Sequence, residues 1–208
     1  MRVELQAVAQ VQMGYSFRTR LEVDAEGDVA VIQMKDIDEA DLLHTEGLAR
    51  IRMPELKGRH VVQAGDLLFR SRGITNSVAL VTGELSKAVL AAPLLLIRPD
   101  AERIEPAYLH WFINHPSTQA RLAMAAAGTA VKMIGKAAVE ALEIVLPPLS
   151  EQAQIMEIAA LSAREIELLE SVKRRRSALS NHVLMQAANR AAPAIAPARV
   201  KVTVEHYE

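Results

Sequence analysis

A loop in the middle of the chain combines residue types that can read the edges of DNA bases. The segment RSRGITNS follows the apolar run GDLLF and gathers Arg70, Arg72, Thr75 and Asn76 around a glycine. An arginine can donate two hydrogen bonds to O6 and N7 of guanine, and an asparagine can pair in the same bidentate way with N6 and N7 of adenine. The loop is therefore a candidate for sequence readout of a duplex.

Two further segments offer side chains suited to the DNA backbone. Lysine, arginine and hydroxyl groups in loops commonly bind phosphate oxygens, which position a protein on the duplex without reading its sequence. The candidates are Tyr15, Arg18 and Arg20 in MGYSFRTR, and Thr129, Lys132 and Lys136 in GTAVKMIGK.

Charge is segregated along the chain although the total is close to neutral. The 24 basic and 25 acidic residues leave a formal net charge of -1, so any positive surface must be local. Residues 22–46 hold nine acidic side chains and one lysine, whereas residues 50–87 hold seven basic and three acidic side chains. This basic stretch is the predicted electrostatic footprint on DNA, and it adds Lys57 and Arg59 to the candidate contacts.

Patterns for catalysis are sparse. The chain has no cysteine, which excludes thiolate nucleophiles and disulfides. The segment LPPL lacks the polar and aromatic residues of the Asp/Asn-Pro-Pro-aromatic cluster of amino methyltransferases, and no GxxxxGK[ST] phosphate loop occurs. Residues 55–57 read Glu-Leu-Lys, and with Asp36, Asp38 or Asp41 they superficially match the pattern of metal-dependent nucleases, which stays as an alternative. We predict no catalytic residue and no metal site.

The elements that must position these residues begin with a mixed first part. Short runs rich in Val, Ile and Leu predict strands over 29–34, 60–69, 77–83, 88–99 and 141–148. One helix is predicted from Pro106, and a second over 117–127 with Ser117 as its N-cap. Two prolines at 147 and 148 cannot continue a strand ladder, so the mixed domain is expected to close there.

A long amphipathic helix is predicted over 149–190, where the sequence contains neither Gly nor Pro. At about 1.5 Å per residue, roughly 40 residues extend roughly 60 Å, which is longer than a domain of this size is wide. An apolar stripe returns every three or four residues, and we expect it to pair with a helix of a second copy or of another protein. The stripe consists of Ile155, Ile158, Ile166, Leu169, Val172, Leu179 and Val183.

Length and hydropathy indicate a soluble protein. A chain of 208 residues, 50% of them hydrophobic, can bury one core and carry an appendage. No apolar run reaches the roughly 18 residues needed to cross a bilayer, and charges interrupt the apolar residues at the N-terminus. We expect a cytoplasmic location and no membrane partner.

Four motifs follow one another in a distinctive order. They are VQMGYSFR, GDLLFRSRG, EPAYLHWFINHP and GTAVKMIGKAAVEALEIVLPPLSEQAQI, the last running into the long helix. Over roughly residues 3 to 185, this order resembles the target-recognition unit of type I restriction-modification specificity (S) subunits. Members of that family usually carry two such units joined by two long antiparallel helices, and each unit reads half of a split DNA site. This sequence has one unit and one helix, so it resembles a half-length form.

The resemblance implies an α+β target-recognition domain over 1–148, a dimerisation helix over 149–190 in an antiparallel coiled coil with a partner helix, and a flexible tail over 191–208. It implies a homodimer that reads a bipartite duplex site without catalytic activity of its own. The expected partners are DNA methyltransferase subunits and a restriction or motor subunit, which would carry S-adenosylmethionine, ATP and Mg²⁺. A protein interaction module of the same fold, without DNA reading, is the other alternative.

Overall fold

The computed structural model describes residues 1–17, 21–73, 76–126 and 133–191. The chain forms two compact units, the first spanning Met1–Ile158 and the second beginning at Ala159. The strands of the described residues are β1 (Arg2–Glu4), β2 (Ala9–Met13), β3 (Val29–Ile32), β4 (Ala49–Ile51), β5 (Leu67–Phe69), β6 (Val78–Leu80), β7 (Ala88–Leu90), β8 (Leu95–Pro99) and β9 (Glu143–Val145). The helices are α1 (Pro106–Asn114), α2 (Pro116–Ala126), α3 (Lys136–Glu140) and α4 (Leu149–Ala191). The predicted α+β class with a long C-terminal helix is confirmed.

Three sheets make up the first unit. The strand orders are β2-β8-β5-β6, β4-β3-β7 and β1-β9. All neighbours are antiparallel except β3 and β7, which run parallel. Strand β5 is buried on both faces, because Leu67 and Phe69 pack in one apolar cluster and Leu68 packs in the next. This double burial explains why the GDLLF run is apolar throughout instead of alternating.

Each predicted strand region contains a strand, but one predicted strand is two strands in the structure. Residues 88–99 form β7 and β8, and the chain turns between them through Ala91–Leu94, which includes Pro93. Proline cannot donate to a strand ladder, so an uninterrupted strand through this position was a wrong expectation. Strands β1, β2 and β4 were not predicted.

The second helix begins one residue earlier than predicted. Helix α2 starts at Pro116, and the backbone amide of Thr118 donates to the carbonyl of His115 at 2.9 Å. Proline suits the first position of a helix because its missing N–H would have no partner there and its φ is already helical. Ser117 therefore lies inside the first turn, and its prediction as the N-cap was wrong.

The first turns of α4 belong to the first unit. The buried Gln152 carboxamide accepts a hydrogen bond from the amide of Glu105 at 2.8 Å and donates to the carbonyls of Arg103 and Pro147. Ile155, predicted to face a partner helix, packs against the apolar cluster of the domain instead. The first unit thus extends to Ile158, whereas the sequence placed the end of the domain at residue 148.

Within the second unit, the large apolar side chains of α4 are exposed. The other predicted stripe residues of this unit, Ile166, Leu169, Val172, Leu179 and Val183, each expose more than half of their surface. None of the helices in the described ranges is long and apolar enough to cross a membrane.

Candidate nucleic-acid interface

Three predicted DNA-binding segments meet on one short piece of chain, residues 89–93. They come from the N-terminal MGYSF segment, from the turn around residues 57–61 and from the loop after β5. The contacts are the bridge of Val61 with Val89, the bridge of Tyr15 with Ala91, and the hydrogen bond from the Ser71 hydroxyl to the Pro93 carbonyl. The N-terminal segment is thereby brought to two segments that lie more than forty positions further along the sequence.

The N-terminal segment needs its glycine to reach this position. A Cβ on Gly14 would lie 2.6 Å from the carbonyl carbon of Ala91, which is closer than real contacts allow. Because this approach is possible, Tyr15 joins the turn, and its ring lies 4.9 Å from the Phe17 ring and 6.1 Å, edge-on, from the His60 ring. Tyr15 is 37% exposed, so part of this aromatic cluster is accessible.

Tyr15 lines a concave surface together with basic side chains. We call this surface the basic groove and define it by Tyr15, Arg52, Lys57, Arg59 and His60; it encloses about 520 Å³ and also contacts Glu55. A larger depression of about 860 Å³ adjoins it, but Glu22 and Asp24 outnumber Arg52 among its lining residues, so it lacks the positive charge that attracts phosphates.

The Lys57 and Arg59 side chains keep their charge available in the basic groove. Both residues are exposed, and neither forms a salt bridge with a carboxylate among the described residues. Arg59 Nε donates to His60 Nε2 at 3.2 Å. The pKa of His60 is lowered, first by burial and then by the charges of Arg59 and Lys57, which favours the neutral ring that accepts this bond.

The acidic segment neutralises most of the remaining basic stretch. Asp24 binds Arg52 at 2.6 Å, Asp28 binds Lys87 at 3.0 Å, and the carbonyl of Gly27 accepts from Arg50 Nε at 2.9 Å. Hydrogen bonding to Arg52 lowers the pKa of Asp24, and the Met53 amide followed by Lys87 lowers the pKa of Asp28. Carboxylates thus neutralise Arg52 and Lys87, and a carbonyl holds Arg50, which leaves Lys57, Arg59, Arg70 and Arg72 from the predicted footprint.

Arg70 and Asn76 hold the loop in place instead of facing outward. The Arg70 guanidinium donates to the carbonyls of Ile37 and Asp38 and lies 3.6 Å from the Asp41 carboxylate, while its Nε is buried without a partner in the described structure. The Asn76 side chain is buried and donates to the Arg70 carbonyl at 3.0 Å. Both side chains are held within the protein by these contacts, so we leave both residues out of the DNA-facing set.

Arg72 has the opposite placement. It is exposed, forms an isolated β-bridge with Met133, and its Nε lies 3.2 Å from the Met133 sulfur. The amide of Ile134 donates to the Ser71 carbonyl at 2.9 Å, so the structure joins the RSRG and MIGK segments. We call Ser71–Arg72 with Met133–Ile134 the paired loops. Lys136, predicted as a phosphate contact, forms an ion pair with Glu140 at 3.4 Å.

Five predicted DNA contacts lie outside the described residues: Arg18, Arg20, Thr75, Thr129 and Lys132. Conversely, the structure adds His60 and Phe17 to the surroundings of Tyr15, and neither of them was a predicted DNA contact. Phe17 follows Tyr15 by two positions in the sequence, whereas no spacing rule could have found His60, because the contacts with residues 89–93 bring it to Tyr15.

The carboxylates of the nuclease alternative serve local structure. Asp38 accepts hydrogen bonds from the amides of Ala40 and Leu42 and pairs with His44 at 2.9 Å, and these contacts lower its pKa. Asp36 accepts from the amide of Gln33 at 2.8 Å. The described part of the chain contains no group of three or more His, Asp or Glu side chains placed to hold a metal ion.

Fold and surface together define an α+β domain with a basic groove, followed by a long helix. The family model for the type I restriction modification DNA specificity domain matches residues 1–174. The chain belongs to this family, which confirms the resemblance seen in its motifs. No curated protein matches it by sequence.

Solved structures share the fold at low sequence identity. An HsdS subunit from Thermoanaerobacter tengcongensis is 20% identical with a TM-score of 0.61, covering 83% of this chain and 39% of that one. A chain from a type I R-M system, solved to explain complex assembly and conformational transition, is 19% identical with a TM-score of 0.65, covering 88% and 43%. The type I S subunit from M. genitalium is 14% identical with a TM-score of 0.51, covering 82% and 41%. This chain therefore spans less than half the length of these relatives.

Proposed function

We propose that this protein is the DNA-sequence recognition subunit of a restriction-modification assembly and that it reads a bipartite site as a dimer. The observation that carries the proposal is that the basic groove and the paired loops both contact residues 89–93, and that their Lys57, Arg59 and Arg72 remain exposed and unpaired with acids among the described residues. Membership of the specificity-domain family supports the same conclusion.

The groove and the paired loops take different roles. Lys57 and Arg59 are exposed cations on a short turn and suit phosphate oxygens, which fix the position of the duplex. Arg72 lies on a loop held by Arg70, Asn76 and the bridge to Met133. A planar guanidinium on such a loop can pair with guanine in the major groove, so Arg72 is our candidate base reader.

The part of α4 that lies in the second unit supports dimerisation through antiparallel helices. Its apolar stripe is exposed, and the charges of α4 divide into two halves. The first half carries Glu151, Glu157, Glu165, Glu167 and Glu170 with Arg164, and the second half carries Lys173, Arg174, Arg175, Arg176 and Arg190. An antiparallel pair places the acidic half of one copy beside the basic half of the other, whereas a parallel pair places like charges together. Two reading heads held about one DNA turn apart, roughly 34 Å, would then match a split site.

Catalysis belongs to partner subunits in this proposal. The chain selects the site, a DNA methyltransferase subunit using S-adenosylmethionine modifies it, and a restriction subunit using ATP and Mg²⁺ can cut elsewhere. This division fits the residues of the described chain, whose Asp36 and Asp38 carboxylates are committed to turns.

Selection of bound duplexes from a random pool tests the proposal. We expect enrichment of one motif made of two half-sites separated by a fixed gap, and binding that weakens steeply with salt. Lys57→Ala and Arg59→Ala should each lower the slope of log affinity against log salt by about one, while Arg2→Ala, which removes an exposed charge outside the groove, should leave it unchanged. Absence of any enriched motif would favour an interaction module without DNA reading.

A further inference from the structure

We propose that two copies of this chain pair through α4 in one specific antiparallel register, which is fixed by Glu165 of each copy opposite Arg176 of the other. The inference rests on the proposed dimer and goes further by naming the residues that select the partner and the alignment. It depends on two independent observations, the heptad positions of these charges and their lack of ion pairs in the described chain.

Glu165 and Arg176 occupy core positions of the heptad pattern. Counting heptads from Ile155, the core positions that face a partner helix are Ile158, Ser162, Glu165, Leu169, Val172, Arg176, Leu179 and Val183, and Ile166 of the predicted stripe flanks them at the position after Glu165. Six of these eight side chains are apolar or small, and two are fully charged. A charged side chain in such a seam is costly unless it meets its opposite.

The two core charges differ from their neighbours in their contacts. Arg164 binds Glu167 and Arg174 binds Glu170 within the same helix. Glu165 and Arg176 form no ion pair within the described residues, and both are exposed. Their charges are therefore available to a second helix.

One register satisfies every core position. In this register, each core residue of one helix faces a core residue of the other, which gives four different residue pairs. Each pair occurs twice because the dimer is symmetric. The pairs are Leu169 with Val172, Glu165 with Arg176, Ser162 with Leu179, and Ile158 with Val183.

Other alignments fail at the charged positions. Sliding one helix by a heptad in one direction places Glu165 against Leu169 and Arg176 against Ile158. Sliding it in the other direction places Glu165 against Val183 and Arg176 against Val172. Each slide buries four unpaired charges in the dimer. A parallel pair in register would oppose Glu165 to Glu165 and Arg176 to Arg176. A charged pair in the seam thus selects one register, as polar core residues do in coiled coils.

Charge exchange tests the register through self-association measured by sedimentation equilibrium. Glu165→Arg and Arg176→Glu each create two like-charged contacts, at about tenfold each, so we expect the dimer to weaken on the order of a hundredfold. An equimolar mixture of the two variants restores both opposite-charge contacts and should form a heterodimer of wild-type affinity. The double variant Glu165→Arg/Arg176→Glu should recover a homodimer.

Matched controls lie on the outer face of the same helix. Glu167→Arg and Arg174→Glu occupy heptad positions that point away from the partner, and each should change the affinity by less than about fivefold. Circular dichroism checks that every variant stays helical.

The outcomes separate the two levels of the proposal. If the wild type forms a dimer but the mixed variants do not associate, or the single variants bind themselves as tightly as the wild type, the register is overturned while the proposed function stands. If the wild type is monomeric, both the dimer and its register are overturned.

Discussion

Arg70 and Arg72 are separated by one residue on the same loop, yet the structure uses them in opposite ways. Arg70 exposes 14% of its side chain and binds two carbonyls and a carboxylate of the acidic segment. Arg72 is exposed and touches the sulfur of Met133. One residue therefore supports the loop, and the other is free to reach a ligand.

The difference shows what makes an arginine available for DNA. Residue type, loop position and local charge are nearly the same for both. The deciding factor is whether the acidic segment reaches the side chain, as it does for Arg50, Arg52 and Arg70. Arg98, which binds the buried Asp66 carboxylate through two hydrogen bonds of 2.7 and 2.6 Å, is a second supporting arginine.

The largest expected effect on stability comes from replacing a supporting arginine. Arg98→Ala leaves the carboxylate of Asp66, itself 1% exposed, without a cation and with only the Gln63 amide as a donor, and we expect a loss of about 3–5 kcal/mol in the free energy of unfolding. Arg72→Ala removes the same side chain from an exposed site and should change stability by less than about 0.5 kcal/mol. Urea denaturation measures both, and equal losses would contradict the division into supporting and free arginines.

Arg70→Ala should have the next largest effect. It removes the donor of the Ile37 carbonyl and one of the two donors of the Asp38 carbonyl, which keeps the Asp41 amide, at a cost of about 2–3 kcal/mol in unfolding free energy. At a temperature where the variant is fully folded, its salt slope for DNA binding should equal that of the wild type. A lower slope would show that Arg70 contacts phosphates after all.

Arg72→Ala should act on sequence discrimination. Loss of a bidentate contact with guanine should reduce the preference at one base pair by about 1–3 kcal/mol, measured by competition between the selected motif and single-base variants. Arg59→Ala is the comparison, because a phosphate contact should weaken all of these duplexes equally. A uniform loss for Arg72→Ala would reassign it to the backbone.

The smallest effect concerns pH. His110 lies on α1, where it is partly buried and contacts the Asn114 side chain at 3.1 Å. Burial lowers the pKa of His110 below the ordinary value of 6.5. Below pH 6.5 the unfolded chain therefore binds a proton more readily at His110 than the folded chain does. The free energy of unfolding should fall as the pH drops below 6.5, with a slope of at most about 1.4 kcal/mol per pH unit. Arg72→Ala should keep this slope, whereas His110→Gln should flatten it; an unchanged slope in His110→Gln would exclude His110 as its source.

The strands could be predicted where apolar residues are dense and not where they are sparse. The run at 67–69 was visible because both of its faces are buried. Strand β4 (Ala49–Ile51) has one fully buried residue, and strand β1 (Arg2–Glu4) is held by pairing with β9 at the other end of the domain. Short strands of this kind depend on distant partners, so their own residues carry little signal.

The sequence by itself determined the long helix, its apolar stripe and its opposite charge halves, because helical periodicity depends on residues three and four positions apart. It also determined the motif order that identifies the family. The tertiary structure alone decided which basic side chains remain free, because that depends on contacts such as Asp24 with Arg52 and Asp28 with Lys87, which join positions far apart in the chain. Charges that look alike along a sequence are separated in function by the segment that folds against them.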